Sequence, residues 1–339
     1  MRKLILFLTV ISVTGLVKAQ QDPEYNMYMF NGLFLNPAYA GSHDVISTMA
    51  IYRHQWAGFD GAPRTANLSV HSPLKRDQYN LGLSISNDRL GFTNVFTVTP
   101  AFAYRIRITN DIKLSLGVQA TLGYLQNRLT EAQTFDQNTQ TPYPVDPAFL
   151  NNKNIFLPNF GAGLYLHGKR FYFGFSVPHL LPSSLAKQFK VELSSNPSIS
   201  KLYNQYLVTA GYVFGKDAAI VKVKPSFLMK YQKGLVKNIP DFDFTLGLLF
   251  IDRIWLSATA RTGGEKFNGA GTKKKDFNLE GIIGIVHAKI TPQLSVGYGY
   301  HYAFSSLKYY QSGTHEVMVG YDFWYNKKRF VTPRFVKYF

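Results

Sequence analysis

The sequence predicts an all-β protein, a transmembrane antiparallel β-barrel of about 14 strands with short periplasmic turns and longer extracellular loops. Three observations predict this fold. The chain begins with an export signal, its segments alternate between apolar and polar residues, and its connections alternate between short and long. After the first twenty residues no apolar stretch is long enough for a spanning helix. Residence in a membrane therefore requires strands that close on themselves, because only closed hydrogen bonding is stable in lipid.

The N-terminus has the pattern of a signal peptide. Arg2 and Lys3 precede an apolar run over residues 4–17, and small residues stand just before Gln20. A single membrane-spanning helix is the alternative, but the run is short for one. The sequence contains 0 Cys, which excludes disulfides, thiolate metal sites and a lipid-modified cysteine after the cleavage site. We therefore expect an exported protein of the cell envelope.

Alternation of period two is clearest over residues 114–124. Leu114, Leu116 and Val118 share one face, whereas Ser115 and Gly117 lie on the other. In a soluble sandwich the apolar face would point inward, and in a membrane barrel it meets lipid. The length of the segments, the Tyr and Phe residues near their ends and the signal peptide favour the barrel.

Strand assignment along the chain gives an even number of strands. The predicted strands are 43–56, 63–74, 79–88, 93–107, 111–126, 157–167, 171–178, 203–215, 219–231, 240–252, 254–264, 276–289, 292–304 and 314–325. Every second connection is short and the others are longer, notably 127–156 and 179–202. Short turns at one end and long loops at the other are typical of bacterial barrels, whereas a sandwich has no reason to sort its connections in this way.

Four regions follow from these assignments. They are a signal peptide (1–19), an N-terminal periplasmic or lumenal segment (20–42), the transmembrane barrel (43–325) and a C-terminal tail (326–339). The last strand has two interpretations, 314–325 or 328–339. Pro333 is unfavourable within a central strand and favours the first.

Charge and polar residues limit the possible functions. The formal net charge is +17, with the basic residues mostly between the apolar segments. No fold signature for nucleic acid accompanies this charge, so no nucleic-acid partner is predicted. The eight His residues form no closely spaced metal-binding pair and no nucleophile elbow is present. The sequence thus predicts no enzyme, no metal and no cofactor.

The predicted lumen faces are rich in Gly and Ser with few charges. Side chains of this size do not fill a barrel of about 14 strands. Water, the chain's own loops or termini, or a partner should occupy the space.

Several motifs give the chain a specific resemblance. They are Asn-Pro-Ala-Tyr-Ala-Gly at 36–41, Gln-Trp at 55–56, Gly-Phe-Asp-Gly-Ala-Pro-Arg-Thr at 58–65, Asn-Asp-Arg-Leu-Gly at 87–91 and Thr-Pro-Arg-Phe at 332–335. Over essentially the whole mature chain the sequence resembles the PorP/SprF family of type IX secretion membrane proteins of Bacteroidetes.

The resemblance implies a location and a set of partners. It implies an outer-membrane component of the type IX secretion and gliding machinery, embedded in outer-membrane lipid. It also implies that the protein anchors or docks secreted cell-surface proteins, such as the C-terminal domain of an adhesin, and contacts periplasmic secretion-system proteins. A passive channel for small solutes is the alternative function.

The segment from Gln55 to Thr65 provides the first candidate partner contacts. Gly58, Gly61 and Pro63 are typical of a tight hairpin, which is the structural interpretation of the segment. In the functional interpretation polar and aromatic side chains contact a partner. The candidates are Arg53, Trp56, Asp60 and Arg64.

The segment 36–41 provides two further candidates, Asn36 and Tyr39. It could be a turn that leads into the first strand. It could equally be a terminal segment tucked against the lumen or against a periplasmic partner. Both interpretations remain open at the level of sequence.

Overall fold

A computed structural model describes residues 24–74, 77–128, 130, 152–181, 183–184, 201–202, 204–232, 240–263, 266–267, 273–274, 278–304 and 311–323. In this part of the chain, 14 antiparallel strands form a closed barrel, which confirms the predicted fold class. The predicted signal peptide and C-terminal tail, including the alternative last strand 328–339, lie outside the described residues.

The barrel strands follow one another around the wall in chain order. They are β1 (Ile46–His54), β2 (Arg64–Pro73), β3 (Tyr79–Leu90), β4 (Thr93–Arg107), β5 (Lys113–Asn127), β6 (Lys153–His167), β7 (Phe171–Val177), β8 (Gln205–Tyr212), β9 (Val221–Gln232), β10 (Asp241–Phe250), β11 (Ile254–Gly263), β12 (Asn278–Lys289), β13 (Leu294–Ala303) and β14 (Thr314–Phe323). Strand β14 pairs with β1 and closes the barrel, as predicted for 314–325. Strand β6 begins earlier than predicted, because its pairing with β5 continues to Lys153. Two pairs of two-residue strands, 183–184 with 201–202 and 266–267 with 273–274, lie in the connections.

The two faces of the wall differ as a membrane barrel requires. In β5, Leu116 and Leu122 are 48% and 58% exposed, whereas Ser115 is only 1% exposed. Apolar side chains therefore point outward and polar side chains point inward, the reverse of a soluble sandwich. No helix in the described residues has the length and apolar character needed to cross a membrane.

The two ends of the barrel have different connections. One end, here the turn end, carries the connections 74–78, 108–112, 168–170, 213–220, 251–253 and 290–293. The other, here the loop end, carries the long connections, with one exception, the two-residue turn of Gly91 and Phe92 between β3 and β4. Short turns face the periplasm in bacterial barrels, so the loop end faces the cell exterior.

Residues 24–45, here the plug, lie inside the barrel. They form two 3₁₀ turns, Tyr28–Phe30 and Pro37–Tyr39, and a short helix, Gly32–Leu35. Asn36 caps the second 3₁₀ turn, because its side chain accepts a hydrogen bond from the Ala38 N–H. The lumen is therefore occupied by the chain's own N-terminal segment, one of the three occupants that the sequence allowed.

Candidate functional site

The plug runs through the lumen from the loop end to the turn end. At its start, Glu24 contacts Lys230 and Arg261, which lie near the loop-end limits of β9 and β11. At its end, Asp44 contacts Arg105 in β4 and joins the chain to β1. The plug is thus held by ion pairs at both ends of the lumen.

At the turn end, Asp44 pairs with two basic side chains of the wall. Arg105 Nη1 donates a hydrogen bond to Asp44 Oδ1 over 2.6 Å, and Lys113 Nζ donates one to Oδ2 over 3.0 Å. Burial acts to raise the pKa of Asp44, but the positive charges of Arg105 and Lys113 outweigh it and hold the pKa below its usual value. The Arg105 side chain is only 1% exposed, so Asp44 provides charge compensation that water does not.

At the loop end, Arg261 bridges the plug and the wall. Its Nε and Nη2 atoms donate to the two oxygens of Asp243, each over 2.9 Å, in the bidentate geometry typical of arginine. Its Nη1 lies 3.3 Å from Glu24 Oε2, and Lys230 donates to Glu24 Oε1 over 2.5 Å. Burial acts to raise the pKa of Glu24, but Lys230 and Arg261 together hold that pKa below its usual value.

A second loop-end contact holds the plug backbone. Glu316 in β14 accepts hydrogen bonds from the N–H groups of Asn26 and Met27, both over 2.8 Å. Arg53 Nε lies 3.9 Å from the Glu316 carboxylate, and Arg53 also donates to Gln55 over 2.8 Å. One wall carboxylate therefore satisfies two buried backbone donors of the plug.

Between the charged ends the plug packs through apolar side chains. Met27 is fully buried, and its cluster includes wall residues of β1, β12 and β14. These wall residues are Met49, Ile51, Ile283, Ile285 and Met318. Leu33 and Tyr39 pack on the other side of the lumen against Ala101 and Ala103. The plug is thus part of a hydrophobic core inside the barrel.

Close backbone approach fixes the position of the segment 36–41. Asn36 donates from Nδ2 to the carbonyl oxygen of Leu164 over 2.8 Å. Gly117 in β5 lies directly against Ala38 and Pro37, where a β-carbon would overlap the plug backbone. Glycine at this wall position is therefore explained by packing.

The expectation that the lumen carries few charges is wrong. Arg105, Lys222, Lys224, Asp243 and Glu316 are all buried on the lumen side. The alternation of apolar and polar residues could have predicted these lumen charges, because a charged residue between two outward-facing apolar neighbours must face the lumen. Asp243 between Phe242 and Phe244 is such a case.

The six predicted partner-contact residues separate into two groups. Asn36, Tyr39 and Arg53 are buried in the lumen and contact the chain itself. Trp56 is half-buried in the β1–β2 connection, and Asp60 is exposed there. Arg64 is exposed at the start of β2. The role of these residues in partner binding stays a prediction.

Sequence reasoning did not identify the residues that hold the plug. Lys113, Arg261 and Glu316 belong to distant strands, and the chain order alone does not bring them to the plug. Among the described residues no group of three or more His, Asp or Glu side chains is arranged to hold a metal ion.

A closed 14-stranded barrel with an apolar outer face and a polar, occupied interior defines an integral outer-membrane β-barrel protein. The family model described as type IX secretion system membrane protein PorP/SprF matches residues 17–321. The chain belongs to this family and is an outer-membrane component of the type IX secretion system.

Solved outer-membrane proteins are similar to the chain in overall fold only. The CymD monoaromatic hydrocarbon channel matches with a TM-score of 0.46 and 9% identity, covering 86% of this chain and 92% of that chain. A FadL homologue from Pseudomonas aeruginosa matches with a TM-score of 0.43 and 12% identity, covering 89% and 95%. Omp33 from Acinetobacter baumannii matches with a TM-score of 0.40 and 10% identity, covering 83% and 100%. No curated protein matches the sequence.

Proposed function

We propose that the protein is a docking component of the type IX secretion and gliding machinery. Its loop end holds secreted surface proteins, such as an adhesin, by their C-terminal domain. Its turn end contacts periplasmic proteins of the machinery. One observation carries this proposal: the plug fills the lumen and is held by ion pairs at Glu24 and Asp44. The surfaces left for a protein partner are therefore the two ends of the barrel.

The β1–β2 connection supplies a suitable docking surface at the loop end. Its backbone is tied to neighbouring connections, because Ala57 N–H donates to Gly313 O over 2.9 Å and Gly91 N–H donates to Gly61 O over 3.1 Å. Phe59 is 52% exposed. An exposed aromatic residue on a pre-organised loop is typical of protein-binding surfaces.

A passive channel for small solutes is disfavoured by the same plug. A channel needs a continuous water-filled path, whereas residues such as Met27 and Ala40 fill the lumen and are fully buried. The proposed role involves no catalysed reaction.

The test uses a deletion strain of a bacterium that encodes this protein. The strain is complemented with the wild type, with the double variant Trp56→Ala, Asp60→Ala or with the control Val118→Ala, which changes an exposed lipid-facing side chain in the middle of β5, away from both ends of the barrel. Surface proteins retained on the cells are compared with those released into the medium. We expect release in the deletion strain and with the double variant, and retention with the wild type and the control.

Two results would count against a docking role. One is normal retention of surface proteins in the deletion strain. The other is a high, porin-like ion conductance of the purified wild-type barrel in planar bilayers near neutral pH, which would indicate a channel instead.

A further inference from the structure

Two arginines lie side by side on the outer face of the barrel at the loop end. Arg64 in β2 and Arg89 in β3 are cross-strand partners, and both are exposed. Side chains two or four residues apart on a strand point to the same face. Arg64 is four residues from Leu68 and Arg89 is four residues from Ile85, and Leu68 and Ile85 pair with each other on the lipid-facing side of these strands. The two guanidinium groups therefore project outward, away from the plug.

Among the residues that the structure describes, no carboxylate compensates the charge of this pair. Like charges directly opposite each other on a sheet destabilise it. In the described part of the chain, neither Arg64 nor Arg89 has a carboxylate at ion-pair distance. The adjacent Asp88 lies on the lumen-facing side and accepts a hydrogen bond from Thr65 over 2.5 Å.

Three exposed basic residues at the turn end do have carboxylate partners. Three pairs with carboxylates are found there: Arg107 with Asp77 at 3.2 Å, Lys169 with Asp111 at 2.5 Å and Arg170 with Asp217 at 2.9 Å. Lys216 and Arg253, which are also exposed at the turn end, have no such partner among the described residues, so the loop-end pair is distinguished by its two cations standing directly opposite each other on the outer face. Two like charges side by side on the outer face favour the binding of an anion, which would relieve their repulsion.

The height of the pair matches the head groups of a membrane. Arg64 lies four residues from Leu68 along β2, a distance of about 13 Å at a rise of about 3.3 Å per residue. Asn87 lies two residues from Arg89 along β3, on the side of the turn end. Its cross-strand partner Phe96 is 42% exposed. Aromatic residues at this level mark the membrane–water interface. The arginines thus lie just beyond the aromatic level, where lipid phosphates are found.

The surrounding surface forms two adjoining clefts. One has a volume of about 190 Å³ and is lined by Arg64, and the other has a volume of about 180 Å³ and is lined by Arg128. Arg89 and Gly91 line both clefts. Backbone hydrogen bonds hold this surface, since Arg128 N–H donates to Phe92 O over 3.0 Å.

We infer that Arg64 and Arg89 form a binding site for the phosphate group of an outer-leaflet glycolipid. The planar guanidinium group matches phosphate oxygens in a bidentate way, and two such groups would share one phosphate. The acyl chains of the same lipid would extend along Leu68 and Ile85 on the lipid-facing side. Arg64 is also one of the predicted partner contacts, but glycolipid binding is measured without a protein partner and does not rest on the docking role.

The test measures glycolipid binding by the full-length purified protein. Lipid A carrying its phosphates, dephosphorylated lipid A and inorganic phosphate are each titrated against wild-type protein in neutral-lipid nanodiscs. The variant Arg64→Gln, Arg89→Gln is compared with Arg107→Gln, Arg170→Gln, which removes the same charge at the turn end. Basic residues at a membrane surface contribute enough that we expect roughly tenfold to thirtyfold weaker binding of phosphorylated lipid A by the first variant.

Two control variants separate the loss of a binding site from a general loss of positive charge. The turn-end variant should bind phosphorylated lipid A like the wild type, and Arg64→Lys, Arg89→Lys should bind with intermediate affinity because it keeps charge but loses bidentate geometry. Heat-dependent gel mobility confirms folding of each variant. Equal binding of phosphorylated and dephosphorylated lipid A, unchanged binding by the loop-end glutamine variant, or full competition by millimolar inorganic phosphate would overturn a lipid-phosphate site.

Discussion

Arg105 donates a hydrogen bond to Asp44 over 2.6 Å and so joins the last part of the plug to strand β4. Ile46, two residues later, begins β1. The plug is therefore attached at the turn end both by the chain itself and by an ion pair. At the loop end, the contacts of the described part of the plug, such as Lys230 with Glu24, are non-covalent. Any movement of the plug out of the lumen should begin at Glu24 and hinge near Asp44.

Replacing Asp44 with Asn should weaken the anchored end of the plug. The substitution leaves the buried Arg105 guanidinium without its carboxylate. Breaking a buried ion pair costs about 3–5 kcal/mol. We expect the free energy of unfolding to fall by about 3 kcal/mol, at the low end of this range, because the Asp44 side chain is 32% exposed. Urea unfolding of the barrel in lipid vesicles measures the change in the free energy of unfolding.

The matched control is Asp77→Asn. Asp77 also pairs with an arginine, Arg107, but the Arg107 side chain is 65% exposed. An exposed pair of this kind contributes about 0–1 kcal/mol. Similar losses for Asp44→Asn and Asp77→Asn would show that the plug contact is no stronger than a surface ion pair.

The plug should be held less firmly at low pH. The neighbouring cations outweigh burial and hold the pKa of both Glu24 and Asp44 below the usual values. A carboxyl whose pKa is lower in the folded state stabilises that state above its unfolded pKa of about 4, and the contribution is lost as the pH falls through the folded pKa. Conductance in planar bilayers should therefore be low and constant near neutral pH and should rise below about pH 4.

A double variant tests the origin of this pH dependence. Glu24→Gln with Asp44→Asn removes both carboxyls, so its conductance should depend less on pH than that of the wild type. A wild-type conductance that stays constant down to about pH 2 would contradict the role of these two carboxyls.

The barrel wall could be predicted from the sequence, whereas the segment that fills the lumen could not. Alternation places Leu116 outside and Ser115 inside, and the structure agrees because each strand carries this information locally. The plug depends on contacts between distant positions, such as Asn26 with Glu316, which no local pattern encodes. The small side chains of the lumen indicated a vacant space, but they did not identify which segment fills it.

Gly117→Val should disturb the plug without changing the barrel wall. A β-carbon at Gly117 would overlap the backbone of Ala38, so the plug must shift away from β5. Overpacking of this kind costs about 1–3 kcal/mol. We expect lower stability in urea and a higher conductance than in the wild type.

Gly284→Val is the matched control for this substitution. Gly284 lies in β12, and no heavy atom lies within 4 Å of the position that its β-carbon would take. Valine is also favourable in strands. The control should retain the stability and conductance of the wild type, and equal conductance of the two variants would contradict close seating of the plug on β5.

Arg261→Lys should be harmful although it conserves the charge. Arg261 uses three nitrogens to bind both oxygens of Asp243 and to approach Glu24, and a single ammonium group cannot reproduce this geometry. Each lost hydrogen bond to a charged group costs about 1.5–3 kcal/mol. Urea unfolding should show a loss in that range, whereas Arg170→Lys, on the pair with Asp217 in which the Arg170 side chain is 37% exposed, should stay within about 0.5 kcal/mol. If both variants unfold like the wild type, the charge of Arg261 alone holds Glu24, and the bidentate geometry contributes nothing to the retention of the plug.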